Sequence, residues 1–119
     1  MKNPNRLRVI PDAEDLAVEI YRITRGFPRD ERFGLVSQMR RSAVSIGSNV
    51  SEGCGLNTDR AFIACVHRAL GETYELDFQR RVAVRLEFGN PEELIVCGNS
   101  ITAMSKQLTR LIVSHRGLV

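Results

Sequence analysis

The side chains of this 119-residue chain that could do chemistry are two histidines, three cysteines and a run of polar residues along one helix. His67 and His115 are isolated in sequence. His67 lies beside Cys65 and Arg68, but positions one or two apart on a helix do not face each other, so the group makes a poor metal site. There is no HExxH, no P-loop, no Rossmann glycine pattern and no nucleophile elbow. A di-iron bundle site needs Glu-x-x-His pairs, which are absent. Ser45 and Glu52 lack a histidine base. A polar face without base, metal or oxyanion donor argues against an enzyme, so no catalytic, cofactor or metal residue is expected.

That polar face runs through Gln38, Arg41, Ser45, Asn49 and Glu52, at steps of 3, 4, 4 and 3. Such spacing stacks side chains on one face of a helix. The face lies directly beside an apolar stripe, so its members are partly buried and need partners. A hydrogen-bond network that fixes helix register is the favoured reading; a binding cleft is the other. In a buried network Asn49→Ala would cost roughly 1–3 kcal/mol. Small residues close by (Ser42, Ala43, Ser45, Gly47, Ser48) let a neighbouring backbone approach.

Fifteen of the seventeen basic residues are arginines, and the net charge is +3. Arginine suits phosphate forks, but coding bias explains the ratio as well. Arg80, Arg81 and Arg85 cluster near the end of one helix, and Arg40 stands on another. Solvated charge is the default for each, and phosphate binding is the functional alternative.

Four amphipathic segments must position these residues. Asp12 reads as an N-cap, followed by Ala13, Leu16, Ala17, Ile20, Ile23 and Phe27 at helical spacing, and Gly26-Phe27-Pro28 ends the helix. Asp30 reads as the cap of a second helix over 31–53, with the stripe Leu35, Met39, Ala43, Ile46, Val50 and Gly53. Thr58 or Asp59 starts a third, which runs to about Glu87 with Phe62, Val66, Ala69, Leu70, Thr73, Leu76, Ala83 and Val84 inward. Pro91-Glu92-Glu93 opens the fourth, carrying Leu94, Gly98, Ile101, Met104, Leu108, Leu111 and Ile112. No segment alternates as a strand does. The expectation is an all-α, antiparallel up-down-up-down four-helix bundle over residues 12–113. An N-terminal arm (1–11) and a short tail (114–119) flank it.

The third helix holds a conflict. Asp77 and Arg80 fall on its apolar stripe, where they must be solvated, or paired across to another helix or subunit; their i,i+3 spacing also permits an ion pair with each other. On its far side Tyr74, Phe78, Val82 and Leu86 form an apolar surface that a lone bundle leaves wet; an oligomer interface is the favoured reading, and a scattered set of exposed apolar residues is the other.

Composition narrows the class. Hydrophobic residues make up 43% and charged residues 26%, so neither disorder nor a disulfide scaffold fits. Three cysteines without a CxxC fit free thiols in a reducing compartment. With no apolar run of signal or spanning length, the chain reads as cytoplasmic with no membrane partner.

The stretch FPRDERFGLVSQMRRSAVSIGSNVSEGCG, with RALGETYELDFQ after it, resembles a family of small bacterial four-helix bundle proteins. Their founding members are encoded in intervening sequences of large-subunit ribosomal RNA genes. The matching positions are Phe27-Pro28, Glu31, Phe33-Gly34-Leu35, Gln38, Arg40-Arg41, Ser45-Ile46, Ser48-Asn49, Glu52-Gly53, Ala69-Leu70-Gly71, Tyr74-Glu75-Leu76 and Gln79. The resemblance implies a homopentameric ring without enzymatic activity, and it adds Glu75 to the polar signature of Arg40, Arg41, Asn49 and Glu52. It also brings a structurally similar relative, the accessory protein of diversity-generating retroelements, which binds a reverse transcriptase and nucleic acid. The partners so implied are copies of the chain itself, then RNA or DNA or a nucleic-acid enzyme such as a reverse transcriptase. A purely protein-binding scaffold is the alternative. Two departures stand out. Leu56-Asn57-Thr58-Asp59 replaces a basic run, and Arg80-Arg81 replaces a Leu-Leu pair.

Overall fold

The computed structural model describes residue 2 and residues 7–115. The other arm residues and 116–119 lie outside the described part. Four helices follow one another: α1 (Val9–Thr24), α2 (Leu35–Cys54), α3 (Asp59–Arg85) and α4 (Pro91–His115). A 3-10 turn, Arg29–Glu31, precedes α2. The molecule measures 45 × 21 × 19 Å. Its long dimension is close to the roughly 40 Å that 27 residues span at 1.5 Å each.

Each helix packs antiparallel on its sequence neighbours, and α4 closes the bundle against α1. Cross-helix pairs give the register. Gly47 meets Ala13 on α1, Asn49 meets Arg68, Arg80 reaches Leu94, and Gln107 bonds Asp12 at 2.8 Å. Met39, Ile46, Val50, Phe62, Val66, Leu76, Leu94 and Leu108 lie at the centre, almost fully buried. Among the described residues no helix is long and apolar enough to cross a membrane.

Three helix starts and ends differ from the sequence expectation. α1 begins at Val9, three residues before Asp12, because Val9 is buried and Pro11 sits in the first turn, where its missing N–H costs nothing. Asp12 caps nothing; its carboxylate accepts the bond from Gln107 instead. α2 starts at Leu35 rather than 31, since Gly34 breaks the helical backbone at φ −108°, ψ −114°. Asp30 makes no cap bond; Glu31 Oε1 accepts from the Leu35 N–H at 3.1 Å. α4 continues through His115.

The remaining ends follow the sequence. Thr58 Oγ1 accepts from the Ala61 N–H at 3.1 Å, and Asn90 Oδ1 accepts from the N–H groups of Glu92 and Glu93. α3 closes with Phe88 N–H bonded to Ala83 C=O and Glu87 N–H to Val84 C=O. This 6→1 and 5→2 pattern places Glu87 at φ +60°, a position that favours glycine.

Two stripe positions on α3 are exchanged. Val84 is 42% exposed, while Gln79 is buried. Ala69, Leu76 and Ala83 repeat every seven residues along one buried line, and at roughly 100° per residue Gln79 lies about 60° from Leu76 while Val84 lies about 100° from Ala83.

Candidate functional site

The polar face of α2 lies along the seam with α3 and is only half covered. Arg41 pairs with Glu75 at 3.5 Å, and both side chains are largely wet. Ser45 and Arg41 stand beside Glu72, whose carboxyl is held above its usual range by burial and then by the neighbouring Glu75 carboxylate. Asn49 donates to the Ser45 carbonyl at 2.8 Å and accepts from Arg68 Nε at 3.2 Å. Arg68 in turn lies 2.9 Å from Cys65 Sγ. Gln38 and Glu52, the ends of the predicted row, are exposed. The arrangement is a half-covered ladder along the α2–α3 seam, with Glu72 and Arg68 as rungs that the reading of α2 alone could not supply.

The arginines separate into three environments. Arg80, expected at a basic surface, is mostly buried. Its Nε lies 2.9 Å from Asp77 Oδ1, and Arg80 Nη1 reaches the Leu94 carbonyl at 3.4 Å. Gly98 on α4 makes the room, since a Cβ there would stand 2.7 Å from Arg80 Cζ. Arg80 is therefore a packing residue, paired with Asp77 within its own helix rather than solvated. Arg81 also pairs with Asp77, at 2.8 Å, but stays exposed, as does Arg85. Arg40 belongs elsewhere. It donates to Thr24 Oγ1 at 3.0 Å and lies 4.5 Å from the Tyr21 ring centre.

Arg40 opens onto a basic corner that the sequence reading did not assemble. Arg25, Arg29, Arg32 and Arg40 line a cleft of about 180 Å³ between the end of α1 and the start of α2. The signal was present as four arginines within 25–40, with Phe33 next to Arg32.

The apolar row on α3 faces outward as expected. Tyr74, Phe78 and Leu86 are 65%, 67% and 55% exposed, and Val82 is half-buried. Isoleucine and valine add to the outer surface on α4, at Ile95 and Val96.

The thiols are enclosed. Burial raises Cys54 and pushes Cys97 up to about 12, so both are neutral and unreactive near pH 7. His115 packs its ring 5.0 Å from that of Phe62, and His67 is exposed. Among the described residues no three His, Cys, Asp or Glu side chains gather as a metal site would require.

Residues 5–110 match the family model described as 23S rRNA-intervening sequence protein. The chain is also similar to a crystal structure of a protein of unknown function from the S23 ribosomal protein family of Bacteroides thetaiotaomicron. Identity is 26% and the TM-score 0.78, over 87% of this chain and 97% of that one. No curated protein matches.

Proposed function

The chain belongs to the 23S rRNA-intervening sequence protein family, and from that premise and its own surfaces we propose a non-enzymatic assembly protein. It associates with copies of itself, as a pentameric ring, and serves as an adaptor for nucleic acid or a nucleoprotein such as a reverse transcriptase complex. The observation that carries the assembly is the α3 row, where Tyr74 and Phe78, one turn apart, and Leu86 beyond them stand more than half exposed. Leaving such a row in water forgoes the roughly 25 cal/mol that each Å² of apolar surface gains on burial. Self-association would cover it.

Arg81 and Arg85 occupy the same outward side of α3, so an assembled ring would repeat them around its axis. Repetition turns a weak cationic patch into avidity for a polyanion. The three thiols are unpaired and buried, which suits a reducing cytoplasm.

Sedimentation of the purified chain at micromolar concentration tests the reading. An oligomer is expected, and the Tyr74→Ser, Phe78→Ser double variant should run as a helical monomer. A wild-type monomer would end the assembly reading.

A further inference from the structure

We propose that the corner between α1 and α2 is a single-stranded nucleic-acid site, in which Arg25, Arg29 and Arg32 hold backbone phosphates and Phe33 stacks a base. The inference rests on the nucleic-acid half of the reading above and places it on a surface other than α3.

The corner begins with backbone chemistry. α1 stops at Thr24, Phe27 turns inward against Phe88 at 5.7 Å between ring centres, and the 3-10 turn follows. Burying Phe27 forces the flanking Arg25, Arg29 and Arg32 outward, and all three are exposed. Gly34 then redirects the chain into α2 and leaves Phe33 at 85% exposure, the highest among the large apolar side chains described.

Charge is concentrated here and left unneutralised. Residues 25–40 hold four arginines against Asp30 and Glu31. Glu31 turns to the Leu35 N–H, and Asp30 faces solvent. The cationic partners of the carboxylate ion pairs are Lys2, Arg8, Arg41, Arg80 and Arg81 among the described residues, and none belongs to this corner. Guanidinium groups crowded this way repel one another, and an anion relieves that cost.

Two observations select the anion. The cleft, about 180 Å³, is smaller than the roughly 300 Å³ at which ordinary small-molecule pockets begin. It suits a phosphate with its chain passing over the surface. Aromatic rings also alternate with the arginines: Arg32 lies 4.8 Å from the Phe33 ring centre, and Arg40 lies 4.5 Å from that of Tyr21. Cationic groups beside exposed rings are how proteins hold unpaired bases, because every base has a face to stack. A duplex hides those faces, so the preference is for single strands.

The test is fluorescence anisotropy with a labelled single-stranded RNA of mixed sequence, at low salt and across a salt titration. Arg25→Ala with Arg29→Ala should weaken binding at least tenfold and lower the salt slope by about 1.4, at roughly 0.7 per phosphate contact on a single strand. Phe33→Ala should cost roughly fivefold to a hundredfold, the usual range for one stacked base. The chain has no tryptophan, so Phe33→Trp should keep binding and report it by quenched emission. Circular dichroism and sedimentation should match wild type for all three, since these side chains are exposed. Equal affinity for a duplex or for inorganic polyphosphate, with Phe33→Ala silent, would overturn the proposal. So would loss of binding in Arg81→Ala, Arg85→Ala while the corner variants bind normally. A monomer that still binds at the corner would support this site while ending the assembly reading. An intact oligomer with unaffected corner variants would do the reverse.

Discussion

α3 carries charge on both flanks, and the two flanks differ in depth. Toward α4, the side chains of Asp77 and Arg80 are 21% and 16% exposed and meet at 2.9 Å. Toward α2, those of Arg41 and Glu75 are 61% and 45% exposed and meet at 3.5 Å. The sequence device is the same on each side, polar residues at helical spacing beside an apolar stripe. What differs is the facing helix. α4 presents Gly98, whose missing Cβ is the notch that a guanidinium fills. α2 presents Ser45 and Asn49 at the same seam, and no glycine there opens a notch for Arg41 or Glu75. A glycine on a neighbouring helix thus sets how deep a charge can sit.

The largest expected effect lies on the deep flank. Asp77→Ala would leave Arg80 in its notch without a carboxylate, and unpairing a buried ion pair costs about 3–5 kcal/mol. With some exposure retained, a loss of about 2–4 kcal/mol in urea unfolding is expected. A loss below about 1 kcal/mol would mean that Arg80 swings into water and that the flanks are alike. Gly98→Ala comes next. Its methyl group would displace the guanidinium, at about 1–3 kcal/mol. In an Arg80→Ala background the notch is empty, and the same change should stabilise by up to about 1 kcal/mol through helix propensity. The reversal of sign between backgrounds is the readout.

The contrast between the flanks also explains what could be read without coordinates. The four helices were legible because each has an apolar face at one period and the first three end at Gly, Pro or Asn. Their exact starts were less so. Asp12 and Asp30 look like caps, but burial of Val9 moved one start earlier and Gly34 moved the other later. The polar face of α2 was legible as a row, and its link to Glu75 came from the family resemblance. Its rungs Glu72 and Arg68 depend on how α2 and α3 register, which no single helix encodes. Arg80 could not be placed for the same reason, since its environment is made by Gly98, eighteen positions on. The basic corner was missed because its arginines stand off the apolar stripes and are divided between the end of α1, α2 and the turn joining them, so only the path of that turn brings them together.

On the shallow flank the effects should be smaller. Asn49 is half-buried, and its two hydrogen bonds end on a backbone carbonyl and on an exposed arginine. Asn49→Ala should therefore cost about 0.5–1 kcal/mol, less than a fully buried position would. Thermal unfolding at matched pH would measure it, and a loss near 3 kcal/mol would put this seam on a par with the α4 side.

Glu72 gives the smallest effect and the one with a pH signature. Burial first, and then Glu75, raise its folded pKa above the unfolded value. Between those two values the native state holds more protons than the unfolded state, so stability falls as pH rises through that window. Above that window the ionised Glu72 is then a standing cost beside Glu75. Glu72→Gln removes the charge and keeps the shape, so the urea midpoint should rise slightly at pH 7. The gain should vanish at acid pH, where the wild-type carboxyl is already protonated. The unfolding slope should stay the same, since neither state changes its compactness. A lower midpoint at pH 7 would mean that Arg41 and Ser45 hold the carboxylate in place against Glu75. The α2 flank would then depend on a fixed charge pair, as the α4 flank does, despite its exposure to water.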